Sequence, residues 1–310
     1  MKEILILPLM LLLLTTGCSD DDNNNTNVLI PISLNSRLVV QPRPSRQDVQ
    51  IADGQQVSFY VTHADEVNTV VYNNALLTAD GEGNFDYLYN VSDTALYYPL
   101  EDVNVDLYAV HPYVQTTSLT TPLTFSIIQN QTNIRDFLNS DLLYSRLEGV
   151  VKQRNSVNMV FNHKLSKLTF TIRQGVGIDL TQLNLIEVQN VETTTIMNVQ
   201  TGDLTPATSN PVTITPYGVR AATADETELV NISAIIVPQT FTADPANNKH
   251  LFRFRVGATD FFYTPASNIN FETGRRYQYT ITITNAGIEV TSSIQNWLPG
   301  SDTEGEGVID

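Results

Sequence analysis

Chemistry in this chain would have to come from four histidines, one cysteine and its carboxylates. His63, His111, His163 and His250 stand far apart, and none forms a ligand-spaced pair with another. Zinc and other transition-metal centres are built from paired His, Cys or carboxylate ligands, so no such centre is expected. Calcium held by loop Asp and Glu stays open, although no loop has the alternating ligands and closing glutamate of an EF-hand. No glycine-rich phosphate loop and no G-x-S-x-G turn occurs. Cys18 is the only thiol in 310 residues, which rules out a disulfide within one molecule and, if Cys18 is modified, cysteine catalysis. A Ser-His-Asp triad has no fixed spacing and leaves no signature, but nothing here singles one out. The expectation is a non-enzyme with no cofactor.

The charge balance narrows the partners. With 17 basic against 33 acidic residues and a net charge of −16, the chain lacks the clustered Lys and Arg that displace counterions from nucleic acid. Residues 1–17 combine Lys2 with an apolar stretch from Ile4 to Leu14, too short to span a bilayer, and read as a secretory signal. Leu14-Thr15-Thr16-Gly17-Cys18 resembles a bacterial lipobox. That resemblance implies cleavage before Cys18 and acyl chains on it, an anchor in the outer membrane facing outward. Residues 18–27, with Asp20-Asp21-Asp22 and four asparagines, have nothing to bury and read as a disordered acidic tether.

The elements that would position any site are strands. Val57, Phe59 and Val61 alternate with Ser58, Tyr60 and Thr62; Leu168, Phe170 and Ile172 with Thr169 and Thr171; Tyr277, Tyr279, Ile281 and Ile283 with Gln278, Thr280 and Thr282. A period of two rich in Thr, Val, Ile and Tyr means half-buried antiparallel strands. Only Asn133 to Arg146 suggests helix, one short element or two. The fold class is therefore all-β, as sandwiches. A polar stretch at Lys152 to Asn155 separates two apolar blocks, so domains are expected at 47–155 and 156–298, followed by an acidic, Gly-rich tail at 299–310.

Several segments together resemble the fimbrillin family, pilins of the Bacteroidales. They are Asp53 to Tyr60, Val105 to Tyr113, Ser140 to Tyr144, Val160 to Leu168, Ile235 to Thr240, Phe271 to Tyr277, and Gly287 to Trp297. The resemblance implies two transthyretin-like antiparallel β-sandwich domains in tandem, in a structural or adhesive subunit of a surface pilus (fimbria). It also implies assembly with other pilus subunits by β-strand donation, after a trypsin-like, Arg-specific protease removes a propeptide carrying the first strand. Residues 28–46 suit that propeptide. Val28, Ile30, Ile32 and Leu34 share one face, and Pro31 confines the strand to an edge. In Gln41-Pro42-Arg43-Pro44-Ser45-Arg46-Gln47, Arg43 is shielded by Pro44, so the expected cut is between Arg46 and Gln47. Asp93-Thr94-Ala95 resembles a Bacteroidetes O-glycosylation sequon, which makes Thr94 a candidate site.

His163 and Lys164 fall between two alternating runs, as a polar pair at a domain junction would. Trp297, the only tryptophan, ends the last strand as a core plug. Two other readings stay open: an uncut, membrane-anchoring pilus subunit, and a surface glycan-binding lipoprotein of a nutrient-uptake system. A host or bacterial receptor is compatible with the adhesive reading.

Overall fold

The computed structural model describes residues 28–38, 50–66, 69–88, 95–115, 118–206 and 210–297. Cys18, Arg46, Gln47 and Thr94 lie outside the described residues, as do the tether and the acidic tail. Strand is the dominant regular structure of the described residues, as the alternation requires.

The first half of the chain gives β1 (Leu34–Leu38), β2 (Gln56–His63), β3 (Val70–Ala79), β4 (Phe85–Leu88), β5 (Val105–His111), β6 (Leu123–Ser126), α1 (Ile134–Asn139), β7 (Leu143–Val150) and β8 (Val157–His163). Seven of these strands form one sheet in the order β1-β8-β7-β5-β2-β3-β4. Its pairs are antiparallel except β1 with β8, which run parallel. The sheet curls until its two ends meet: Asn35 bridges Asn84, and the Ser36 N–H donates to Gly83 O at 2.7 Å. Inside the curl lie Val57, Phe59, Val61, Leu77, Leu107, Ala109, Met159 and Phe161.

The second half gives β9 (Ser166–Gln174), β10 (Leu183–Val191), β11 (Thr194–Met197), β12 (Leu204–Pro206), β13 (Val212–Ile214), β14 (Glu228–Ile236), β15 (Gln239–Phe241), β16 (Phe252–Val256), β17 (Thr259–Tyr263), β18 (Ile269–Phe271), β19 (Arg275–Thr284) and β20 (Gly287–Asn296). Sheet β14-β9-β19-β20 faces sheet β13-β10-β16-β17 across a core centred on Phe170, Phe252 and Tyr279. Phe170 and Phe252 meet edge to face at 5.0 Å, and Phe252 and Tyr279 at 4.7 Å, an arrangement the ring quadrupoles favour.

Three features differ from the expectations above. Asn133 to Arg146 yields a single helix, capped by the Asn133 side chain accepting the Asp136 N–H at 2.9 Å. From Leu143 onward the segment is strand, because pairing with β5 overrides local helix propensity. Second, β5 is buried on both faces, with Tyr108 at 0% exposure, and Tyr60, set among the alternating polar residues of its strand, is 1% exposed. They join the second core with Leu119, Leu123 and Phe125, residues of the segment that leads from β5 to α1. Third, the chain crosses between the two halves: β6 pairs with β11, and β8 completes the first sheet, so sheet membership finally changes at Lys164-Leu165.

Candidate functional site

Two places in the molecule gather the residues singled out from sequence. One is the slot that holds β1. Ile32 and Leu34 are 1% and 2% exposed and complete the core inside the curled sheet, with Ile30 packed against it. Val28, expected on the same face, is 48% exposed, so the packed face begins at Ile30. The backbone is held on both sides. Residues 30–32 pair with the 96–98 segment, the Tyr98 N–H donating to Ile30 O at 3.0 Å and the Ile32 N–H to Leu96 O at 2.7 Å. Pro31 sits between these two bonds, bridged to Tyr97, where its missing N–H costs nothing. On the other side Val157 N–H donates to Ser33 O at 2.8 Å. The Leu34 N–H donates to the Tyr87 hydroxyl at 2.8 Å, and burial pushes that phenol up to about 12, so it stays neutral. Tyr87 and Gly83 carry no motif and escaped the sequence reading; a half-buried tyrosine opposite an edge strand was the only available signal.

The second place is the junction. Asp141 receives both junction histidines: His163 Nδ1 lies 2.9 Å from its carboxylate, and His111 Nδ1 lies 2.8 Å from its backbone carbonyl. His163 stacks flat on Trp297, with centroids 3.9 Å apart and planes 11° apart. Lys167 Nζ lies 5.7 Å from the Trp297 ring and 5.8 Å from Phe137, a cation over two aromatic faces. The Trp297 N–H donates to Gly274 O, and the Gly274 N–H to Leu165 O. Segments far apart in sequence (Ser140 to Tyr144, Val160 to Leu168, Phe271 to Tyr277, Ile294 to Trp297) thus converge on one point. Trp297 is 6% exposed, a plug as expected.

His111 shows how tightly this point is specified. Its Nε2 lies 3.0 Å from the Gln55 side-chain amide. Burial lowers its pKa, so the ring is neutral and carries a single N–H. The atom placed against Nε2 is Gln55 Oε1 and the one against Nδ1 is Asp141 O, so a ring with one N–H donates to one of these oxygens at a time. Across the same boundary, Tyr144 donates to Gln200 O at 2.9 Å, and its ring lies flat on Gly202. A Cβ at Gly202 would stand 2.4 Å from that ring, at a φ of +72° that other residues rarely adopt.

None of this has the layout of a catalytic site. The contacts of His111 and His163 are structural ones, filled by Asp141, Gln55 and Trp297. His250 meets the Thr264 hydroxyl at 2.7 Å, but its ring is covered by Phe262 at 4.3 Å. Among the described residues no group of three or more His, Cys, Asp or Glu could hold a metal, and no helix is long and apolar enough to cross a membrane.

A strand-built molecule with a core-plugging edge strand and a motif-built junction was compared with known proteins. A family model described as fimbrillin-like matches residues 45–297. The chain belongs to the fimbrillin-like family. A protein of Bacteroides uniformis that carries the name fimbrium subunit Fim1C is 30% identical over 240 residues, covering 72% of this chain and 74% of that one. Crystal structures of proteins described as cell adhesion proteins share the fold. One from Bacteroides uniformis has a TM-score of 0.64 at 23% identity, over 86% of this chain and 99% of that one. Another, from Bacteroides ovatus, has a TM-score of 0.65 at 21% identity, over 87% and 99%. The all-β fold is the one expected of a fimbrillin-like chain.

Proposed function

We propose that this fimbrillin-like chain is a structural or adhesive subunit of a surface fimbria, exported as a lipoprotein through Cys18. Cleavage between Arg46 and Gln47 by an Arg-specific protease frees residues 28–46, and a strand from another subunit takes the place of β1. The observation that carries this reading is the burial of Ile32 and Leu34 in a core built otherwise from residues beyond position 50. A strand at the end of a sheet, joined to the rest by a connection with two prolines, can leave with the least disruption. Its departure uncovers Met159, Phe161 and unpaired backbone on two neighbours. Two fully buried aliphatic side chains are together worth about 3–6 kcal/mol, so the emptied slot demands an occupant.

A second reading, an uncut anchor subunit, draws support from β20. That strand is paired to β19 along its whole length and ends in the buried Trp297. Donating it would break the junction. The glycan-binding alternative would need an aromatic platform, and Phe262 is the sole aromatic among the exposed large hydrophobic residues described.

The deciding experiment is mass spectrometry of N-terminal peptides from protein exposed on intact cells. A mature start at Gln47 supports the processed, polymerising subunit, as do heat-resistant ladders in denaturing gels. An acylated Cys18 with residues 19–46 retained supports the anchor and rejects processing at Arg46.

A further inference from the structure

The inward face of β1 and the residues leading into it runs Ile32, Leu34, Ser36. Strict alternation calls for an apolar residue at the third position. Ser36 is 3% exposed and stands in register with Met159, which is fully buried in the core of the curled sheet. Its hydroxyl has no hydrogen-bond partner. A buried hydroxyl in that state has lost its water and gained nothing in return.

The backbone of the same residue is well held, since the Ser36 N–H donates to Gly83 O at 2.7 Å. Any extended segment entering the slot in the same direction and register would make that bond equally well. The side chain would not be equivalent. A cleft of about 370 Å³ borders this end of the strand, edged by Asn35, Ser36, Arg37, Gln50, Glu82 and Asn84.

We infer that Ser36 is the built-in weak rung of β1, and that the strand which replaces it carries an apolar side chain at this position. This deepens the strand-exchange reading and rests on it. An incoming strand in the same direction and register makes the same backbone bonds as β1, so exchange in its favour needs a side-chain difference, and Ser36 supplies one. The partner is thereby specified by chemistry: an extended segment of another subunit with apolar side chains at the rungs of Ile32, Leu34 and Ser36 alike.

The test uses the full chain with a sequence-specific protease site introduced within residues 39–49. After cutting, release of the segment containing β1 is followed by mass spectrometry. Labelled peptides of residues 28–38 carrying Ser, Ala or Val at position 36 then compete for the slot. The Ser36→Val peptide is expected to bind on the order of ten-fold tighter than the Ser peptide. In the uncut chain, Ser36→Ala and Ser36→Val are expected to melt about 2–4 °C higher. Ser36→Ala removes the hydroxyl without adding bulk, so it reports even where valine overfills the site. If neither variant melts higher and the peptides bind alike, the inference is overturned. If both variants melt higher yet no segment leaves the cut chain and no peptide enters, strand exchange is rejected and Ser36 stands as the weak rung of a permanent strand.

Discussion

His111 is a neutral imidazole, buried between Asp141 and Gln55. Burial makes the native ring harder to protonate than the unfolded one, whose pKa is about 6.5; the neighbouring His163 acts the same way, and Asp141 against it. As pH falls through about 6.5 the unfolded chain takes up a proton the native chain does not, so stability falls with it. Denaturant midpoints at about pH 7.5 and 5.5, with an NMR titration of the His111 ring, check this; equal midpoints would count against it. At the slot, Tyr87→Phe removes the acceptor for the Leu34 N–H. It should cost about 1 kcal/mol in the uncut chain and speed release of β1 from a cut one. Trp297 supplies the readout for the junction, because as the only tryptophan its emission reports on that one place.

The contrast at the element scale is between two strands that both end sheets. Residues on the inward face of β1 close a core, whereas most of β20 is exposed and Ile294 is 61% exposed. Leu34→Ala should therefore cost about 2–5 kcal/mol, and Ile294→Ser within about 0.5 kcal/mol of nothing. Urea unfolding of both variants distinguishes them; a tolerant Leu34 would mean that β1 contributes little to the fold it completes. The parallel pairing of β1 with β8, in register from Leu34 with Val157 to Leu38 with Phe161, also limits what can replace it. A strand entering in the opposite direction would meet β8 with a different hydrogen-bond pattern and would need its apolar positions re-registered.

The whole molecule carries its coupling in the second core, which runs without a break from Tyr60, Tyr108 and Tyr144 to Phe170 and Phe252. A boundary crossed by β6, by the segment before it and by the histidine junction leaves little freedom for one half to melt alone. The uncut chain is expected to unfold in one calorimetric transition, with the van't Hoff enthalpy equal to the measured one. Two resolved transitions would mean the halves are independent.

The sequence alone carried the strand class, because a period of two in apolar residues is a property of the chain and needs no partner to be seen. It also carried the family resemblance, the plug role of Trp297 and the junction role of His163 with Lys164, since a polar pair between two apolar runs has few other uses. Pro31 announced an edge strand for the same local reason. What only tertiary structure decided is everything that depends on which strands become neighbours. Tyr60 looked solvent-facing until a second core covered it. Asn133 to Arg146 looked helical until β5 claimed its second half. Ser36 looked like one polar residue among many in the N-terminal segment; only its burial opposite Met159, with its hydroxyl unpartnered, makes it a weak rung. Alternation fixes which residues share a face, but burial is set by what packs against that face, and that is written in no single segment.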